Sequence, residues 1–355
     1  MKYLDDWDKR KERHSAFWNC ELVDRCLCSV TALRDGGKFC GFPLPDNEPE
    51  RRRWWTDGDL ILERNLSWFA NTYYGGDSLP ILIHDLGPAG HAGYFKNVRI
   101  RFENTIWFDS DLEDYDDLSF DPDSFLYQKT ISLAKQYAEA AQGDFIVSMP
   151  DAVGDLDVLS HLRGPENLLM DMLERPDEVK KGLRKVQEIW EKVYTEIYDI
   201  VLANNDNGSS VGWLGTWAPG RLGQLQCDLS VMISPKLFDD MVLYELETQS
   251  QWLDYALYHL DGEEQIKHLD CILSVKGINA IQWTNVAGQP GPIHYIPVLK
   301  KIQKAGKGLI LHVTPDEIPL IMENLSSKGL YLLTWTNTQD EADALVKTIE
   351  KLTHD

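Results

Sequence analysis

The chain has no apolar run near the roughly 20 residues that a membrane-crossing helix needs, so no bilayer span is expected. Cations are scarce too: 35 Lys and Arg stand against 57 Asp and Glu, a formal charge of −22. That balance argues against nucleic acid or an anionic membrane surface as partner, since both recruit basic faces. Cysteine is sparse, six in 355 residues with no C-x-x-C pair. Such an irregular set implies reduced thiols in a cytoplasmic protein, not a disulfide framework. The opening residues, Met1 to Lys9, are polar and lack the apolar core of a secretory signal. No stretch rich in Pro, Gly or Ser divides the chain, and residues 1–355 are read as one domain. No G-x-G-x-x-G follows an early strand, which leaves a doubly wound sheet as the second choice of fold. The Gly-rich turn from Asp85 to His91 lacks the Lys-Ser/Thr ending of a phosphate loop.

What the chain does have is a series of short oily runs, each followed by a helix-like segment. Four stand out: Tyr255 to Asp261, Ile278 to Thr284, Gly308 to Thr314 and Leu330 to Thr336. Earlier runs begin near residues 26, 79, 144 and 209, the last covering Ser209 to Gly215. Eight strands alternating with helices predict a single (β/α)8 TIM barrel of the α/β class. Residues 1–24 read as an N-terminal helical extension closing one barrel end. Residues 34–58, 93–123 and 216–223 read as long loops over the C-terminal mouth. The clearest helix covers 177–204, where Val179, Leu183, Val186, Trp190, Val193, Ile197 and Ile200 recur every three or four residues. Arg51 to Arg53 form a basic cluster that either faces solvent or meets a carboxylate or phosphate.

The polar residues sit at the C-terminal ends of the oily strands, the rim where barrels carry their chemistry. His259 and Asp261 are two apart and share one strand face. They suit a divalent metal or an acid–base pair. Trp213, Trp217, Trp283 and Trp335, with Tyr258, crowd the same end and are expected to wall a cavity for a flat or large apolar ligand. Gln282, Asn285 and Gln289 supply neutral hydrogen bonds, and His312 ends another strand. Asp85, Asp151, Asp157 and Asp228 lie near strand ends or mouth loops, as chemical groups or as helix caps. Glycoside hydrolysis needs two opposed carboxylates. The run ending Trp213-Leu-Gly-Thr-Trp217 offers none, and Asp316 and Glu317 read as acids at a helix start.

Three blocks carry a family likeness: Leu156 to Val179, with its Arg175-Pro-Asp-Glu-Val179 ending; Asp228-Leu-Ser-Val-Met-Ile-Ser-Pro-Lys-Leu-Phe238; and Tyr258-His-Leu-Asp-Gly262. In this order they resemble the uroporphyrinogen decarboxylase superfamily. The resemblance covers most of the chain from about Leu79 onward. It implies a (β/α)8 barrel and either of two activities. One is methyl transfer from a small methylated compound or a corrinoid-linked methyl group, with a corrinoid protein as partner and zinc as metal. The other is decarboxylation of a tetrapyrrole-like polycarboxylate, with Asp85 or Asp157 as the acid. A non-catalytic barrel holding a corrinoid or tetrapyrrole is the reading from outside enzymology. The decarboxylases' Arg-rich loop after strand one is absent here, where Thr31 to Gly37 follows instead. The methyltransferases hold zinc through a strand-five H-x-C and a later Cys. The resemblance therefore assigns His259 and Asp261 to the metal, with Asp261 where the Cys stands and Thr334-Trp-Thr336 without one.

Overall fold

The computed structural model describes residues 1–38 and 41–355. Cys40, counted above among the reduced thiols, and Phe39 within the expected 34–58 loop lie outside the described residues. The strands are β1 (Leu27–Leu33), β2 (Thr72–Gly76), β3 (Ile81–Leu82), β4 (Arg99–Phe102), β5 (Ile106–Asp109), β6 (Ile146–Val147), β7 (Gly208–Ser209), β8 (Ala218–Pro219), β9 (Leu222–Leu225), β10 (Tyr255–Leu260), β11 (Ile278–Trp283), β12 (Gly308–His312) and β13 (Leu330–Trp335). Seven of them form one sheet in the order β2-β1-β13-β12-β11-β10-β9, parallel except for β2. β3 pairs with β6 in parallel, and Met149 bridges Val211 in the same sense. Parallel neighbours need long crossovers, and helices such as Leu269–Ser274, Ile296–Lys304 and Ile318–Asn324 supply them.

Side chains alternate across each strand, and the two faces have different fates. Leu257, Ala280, Ile310 and Tyr331 pack together with Phe17 and Trp18 from the helix Trp7–Trp18. Ala256, Tyr258, Leu260, Ile281, Trp283, Leu309, Leu311 and Leu332 turn the other way, into the core shared with the covering helices. Each fully buried aliphatic among them contributes about 1.5–3 kcal/mol. This oily lining at mid-strand leaves the strand ends as the place for polar groups.

The helix Trp7–Trp18 is fastened by charge. Asp77 is 0% exposed and takes Arg25 in a two-pronged pair, with Nη2 at 3.1 Å; Arg13 Nη1 adds a bond at 3.2 Å and the Cys28 N–H another at 3.1 Å. Arg13 also reaches Asp24 through Nε at 2.7 Å, and Arg10 Nη1 donates to the Ser78 carbonyl at 2.6 Å. Trp18 Nε1 donates to the Trp217 carbonyl at 2.8 Å. The expected N-terminal helix is thus seated on β1 and the turn after β2.

Several expectations change. The run 209–215 is strand only at Gly208–Ser209, then a short helical turn at Gly212–Leu214. The strand beside β10 is β9, inside and just beyond the segment read as a mouth loop. The reversal at Gly220, with φ of +114°, turns the chain into it, and the Ser209 hydroxyl accepts from Leu222 N at 2.6 Å. The segment 93–123 contains the antiparallel hairpin β4–β5, and the helix Gly58–Asn71 gives way directly to β2. Arg51 to Arg53 lie on the helix Glu48–Thr56. Arg51 Nε donates to the Phe102 carbonyl at 2.9 Å, Arg52 sits 4.3 Å over the Phe125 ring, and Arg53 pairs with Asp57. Among the described residues no helix is long and apolar enough to cross a membrane, and Cys20, Cys26, Cys28, Cys227 and Cys271 are free thiols.

Replacing Asp77 by Asn leaves two buried guanidinium groups facing a neutral amide. We expect Asp77→Asn to cost about 3–5 kcal/mol of stability, read as a lowered urea midpoint; an unchanged midpoint would show that the knot is not a stabilising element.

Candidate active site

His259 follows Leu257 on the inward face of β10, and Gln282 follows Ala280 on the inward face of β11. The two are register partners, which sets the imidazole beside the amide. His259 Nδ1 lies against Gln282 Oε1, and Thr284 Oγ1 approaches Nδ1 at 3.0 Å and Gln282 Oε1 at 3.1 Å. Gln282 Nε2 is committed to the Trp283 carbonyl at 2.9 Å, so its oxygen is the atom offered to the ring. An acceptor at Nδ1 fixes the proton there and leaves Nε2 with its lone pair. The Trp213 indole stands edge-on to the imidazole, centroids 5.2 Å apart. Asp261 Oδ1 lies 4.0 Å from Nε2.

β9 adds a second polar row. Gln224, Gln226 and Asp228 alternate with Leu225 and Cys227, so one face of the chain is wet and the other oily. Trp213 Nε1 donates to Gln224 Oε1 at 2.5 Å; Gln224 Nε2 donates to Asp151 Oδ1 at 3.0 Å and also to Gln226 Oε1; Gln226 Nε2 donates to Asp228 Oδ2 at 3.1 Å. A chain of amides thus ties Trp213, and through its ring His259, to the carboxyls of Asp151 and Asp228.

Among the described residues none of these acids pairs with Lys or Arg; Asp151 is half-buried and Asp228 is exposed. Burial, reinforced by the charges of Asp85 and Asp228, pushes the Asp151 carboxyl up to about 7. Burial also raises Asp228, with Asp261 raising it further and His259 opposing. Asp157 is pushed to about 7 by burial and by Asp228, although the N–H groups of Leu229 (2.8 Å), Asp228 (2.9 Å) and Gly154 (3.3 Å) all donate to it. Deeper still, burial holds Asp155 and Glu245 well above the carboxylate range, reinforced by Asp157 at the first and by Asp155 at the second. His312 is kept below the usual imidazole range by burial and by His259.

The structure brings His259, Asp261, Gln282, His312, Trp213, Asp151 and Asp228 to one end of the sheet. Asp85, held by the Gly87 N–H at 2.7 Å, adds its charge to Asp151. Asp157 faces the backbone of Asp228, which it orients. Trp217 lies elsewhere: it packs at 5.4 Å on Trp7 and donates to the Asn205 carbonyl at 3.0 Å. Tyr258 and Trp283 point outward, Trp283 being 1% exposed and 4.5 Å from Tyr295. Trp335 is 68% exposed and borders a mainly apolar cavity of about 620 Å³ with Trp68 and Thr31, one that His259 does not line. Asn285 donates to the His312 carbonyl at 2.8 Å, and Gln289 accepts from Glu263 N at 3.2 Å. Among the described residues no three His, Cys, Asp or Glu side chains group as a metal cage. His259 and Asp261 offer one imidazole and one carboxylate but no thiolate, and the Cys227 thiol is buried and raised well above its usual range. The residues present do not fit the zinc set of the resembled methyltransferases. Gln224, Gln226 and Thr284 were missed; their signal is the polar alternation Gln224-x-Gln226-x-Asp228 and Gln282-x-Thr284.

No family model and no curated protein matches the chain. Among solved structures it is similar to a methyltransferase from Methanosarcina mazei, at 14% sequence identity, over 96% of this chain and 98% of that one, with a TM-score of 0.62. At that identity the likeness speaks to the fold.

A carboxyl whose native pKa is raised holds its proton in the folded state after the unfolded chain has lost it near about 3.9. Stability from Asp151 is therefore fullest below that pH and lost as pH climbs through about 7. We expect Asp151→Asn, which keeps the acceptor for Gln224, to flatten this decline by up to about 4 kcal/mol, measured by urea unfolding from pH 4 to 8. A variant as pH-dependent as the parent would remove Asp151 from the account.

Proposed function

We propose that this chain is a methyltransferase of the (β/α)8 barrel kind, one domain of the uroporphyrinogen decarboxylase superfamily, acting on a small methylated compound. Closure of the sheet into a barrel is supported by contacts on both open sides. Ser29 Oγ bonds Ser78 Oγ at 2.9 Å, β3 pairs β6, Met149 bridges Val211, and Ser209 receives Leu222 N. The observation that carries the reading is an imidazole whose Nδ1 is engaged by Gln282, with Asp261 4.0 Å from its Nε2 and the upward-shifted carboxyl of Asp228 acting on it by charge, at the polar end of an oily sheet. His259 Nε2 takes the proton of a thiol acceptor, and the Asp228 carboxyl stands beside the departing heteroatom, as general acid to an oxygen or sulfur and as counter-ion to a protonated nitrogen. The heteroatom–methyl bond breaks with its electron pair left on the heteroatom, while the acceptor's pair forms the new bond to carbon. Gln282 and Thr284 hold the imidazole, Gln224 and Gln226 hold the acids, and Asp157 positions Asp228. A corrinoid-linked methyl group is the alternative donor, brought by a partner protein. The reduced thiols are in keeping with a cytoplasmic protein.

Decarboxylation of a polycarboxylate would ask for cations facing the mouth. Arg51 to Arg53 are engaged with Phe102, Phe125 and Asp57, and a cluster of acids repels carboxylates.

The test supplies methylated amines, ethers and thioethers with a thiol acceptor and follows S-methyl product by mass spectrometry. We expect His259→Ala to lower the rate by about 10²–10⁴ with an unchanged circular dichroism spectrum. Equal turnover by the variant defeats the assignment, and binding without any product in the parent makes the chain a binder.

A further inference from the structure

A second cavity, about 420 Å³, opens beside Asp228. That is within the roughly 300–1,000 Å³ of small-molecule sites. The hairpin β4–β5 forms one wall with Ile106 and Trp107, the turn at Ala89 another, and the segment Asp228–Met232 a third. The lining is mainly apolar, and no Lys or Arg belongs to it. Its charged groups are Asp157 and Asp228; His161, also in the wall, is kept below the usual imidazole range by burial. Both Asp157 oxygens are taken by backbone N–H groups. Asp228 gives Oδ2 to Gln226. Trp107 and Met232 remain 39% and 61% exposed at this opening, large apolar surfaces that a ligand would cover.

We infer that this cavity holds the apolar arm of a methylated amine whose nitrogen binds at Asp228 as an ammonium ion. This deepens the methyl-transfer reading by naming its substrate class. Acids alone in an oily wall favour a cation over a neutral ether or an anion, and the Trp107 face suits a cation or an arene. The chemistry balances. The tertiary amine arrives protonated and pairs with the Asp228 carboxylate. The nitrogen–methyl bond then breaks with its electrons kept by nitrogen, giving a neutral secondary amine. The methyl carbon bonds to the acceptor sulfur, whose proton goes to His259 Nε2.

Calorimetric titration of the full chain with benzyltrimethylammonium, tetramethylammonium and the uncharged isostere neopentylbenzene tests this without turnover. We expect the benzyl cation to bind at least about tenfold tighter than either companion. Trp107→Ala should bring the two cations to within about threefold of each other, and Met232→Arg should weaken both by about tenfold or more. Equal affinity for the cation and its isostere, or an undiminished benzyl preference in Trp107→Ala, overturns the inference. If the preferences hold and no methylated amine is turned over, the cavity assignment stands and methyl transfer alone falls.

Discussion

Burying an ionised group costs several kcal/mol unless a partner or a proton removes its charge, and this chain meets that cost in opposite ways at its two ends. Under the sheet, Asp77 is matched by Arg25 and Arg13, and the pairing holds the N-terminal helix in place. At the other end Asp85, Asp151, Asp155, Asp157, Asp228 and Glu245 are crowded together, and among the described residues none pairs with Lys or Arg. There desolvation raises every one of these carboxyls toward its protonated form. One end uses charge for architecture; the other gathers carboxyls whose ionisation is held back by their surroundings. An overall charge of −22 makes the second arrangement easier to understand, since few cations exist to quench it.

The site is held by backbone register as much as by side chains. His259 meets Gln282 because β10 and β11 pair in that register, and a one-residue slip would present Trp283 instead. Gln282 in turn is oriented by the carbonyl of its own neighbour, so the tautomer of the imidazole follows from strand geometry. The acids are arranged from β9 in the same manner, through amides two residues apart. The cover over them is separate. It comes from the hairpin β4–β5 and the turn after Asp228, surface pieces that can vary without disturbing the strands beneath.

Four of the strands, β10 to β13, were legible because each is an oily run with a polar end and a turn after it. The rim position of His259, Asp261, Gln282 and His312 followed from that pattern. β9 was hidden because Leu222-Gly-Gln-Leu carries few β-branched or aromatic residues, and its neighbour Ser209 to Gly215 looked the better strand. The Trp wall was overdrawn for a related reason. Proximity of indoles in sequence says nothing of which face they occupy, and the period of two sends Trp283 and Tyr258 outward while Trp217 goes to the helix at the far end. Both readings of Arg51 to Arg53 find a place: Arg52 and Arg53 are exposed and Arg53 meets the Asp57 carboxylate, while Arg51 caps a carbonyl and Arg52 packs on a ring. The family likeness pointed to the segments around Asp228 and His259, and not to the amides that join them.

The pairing of β1 with β13 has a temporal side. Leu27 hydrogen-bonds into register with Tyr331, about 300 residues later. While the ribosome is still at work, β1 has β2 on one edge and nothing on the other, an open template for wrong partners. The Asp77 knot, made wholly from the first eighty residues, is the piece that can assemble early and shelter that strand. Completion then waits for β13, so the separation of the paired strands along the chain slows the closing of this sheet.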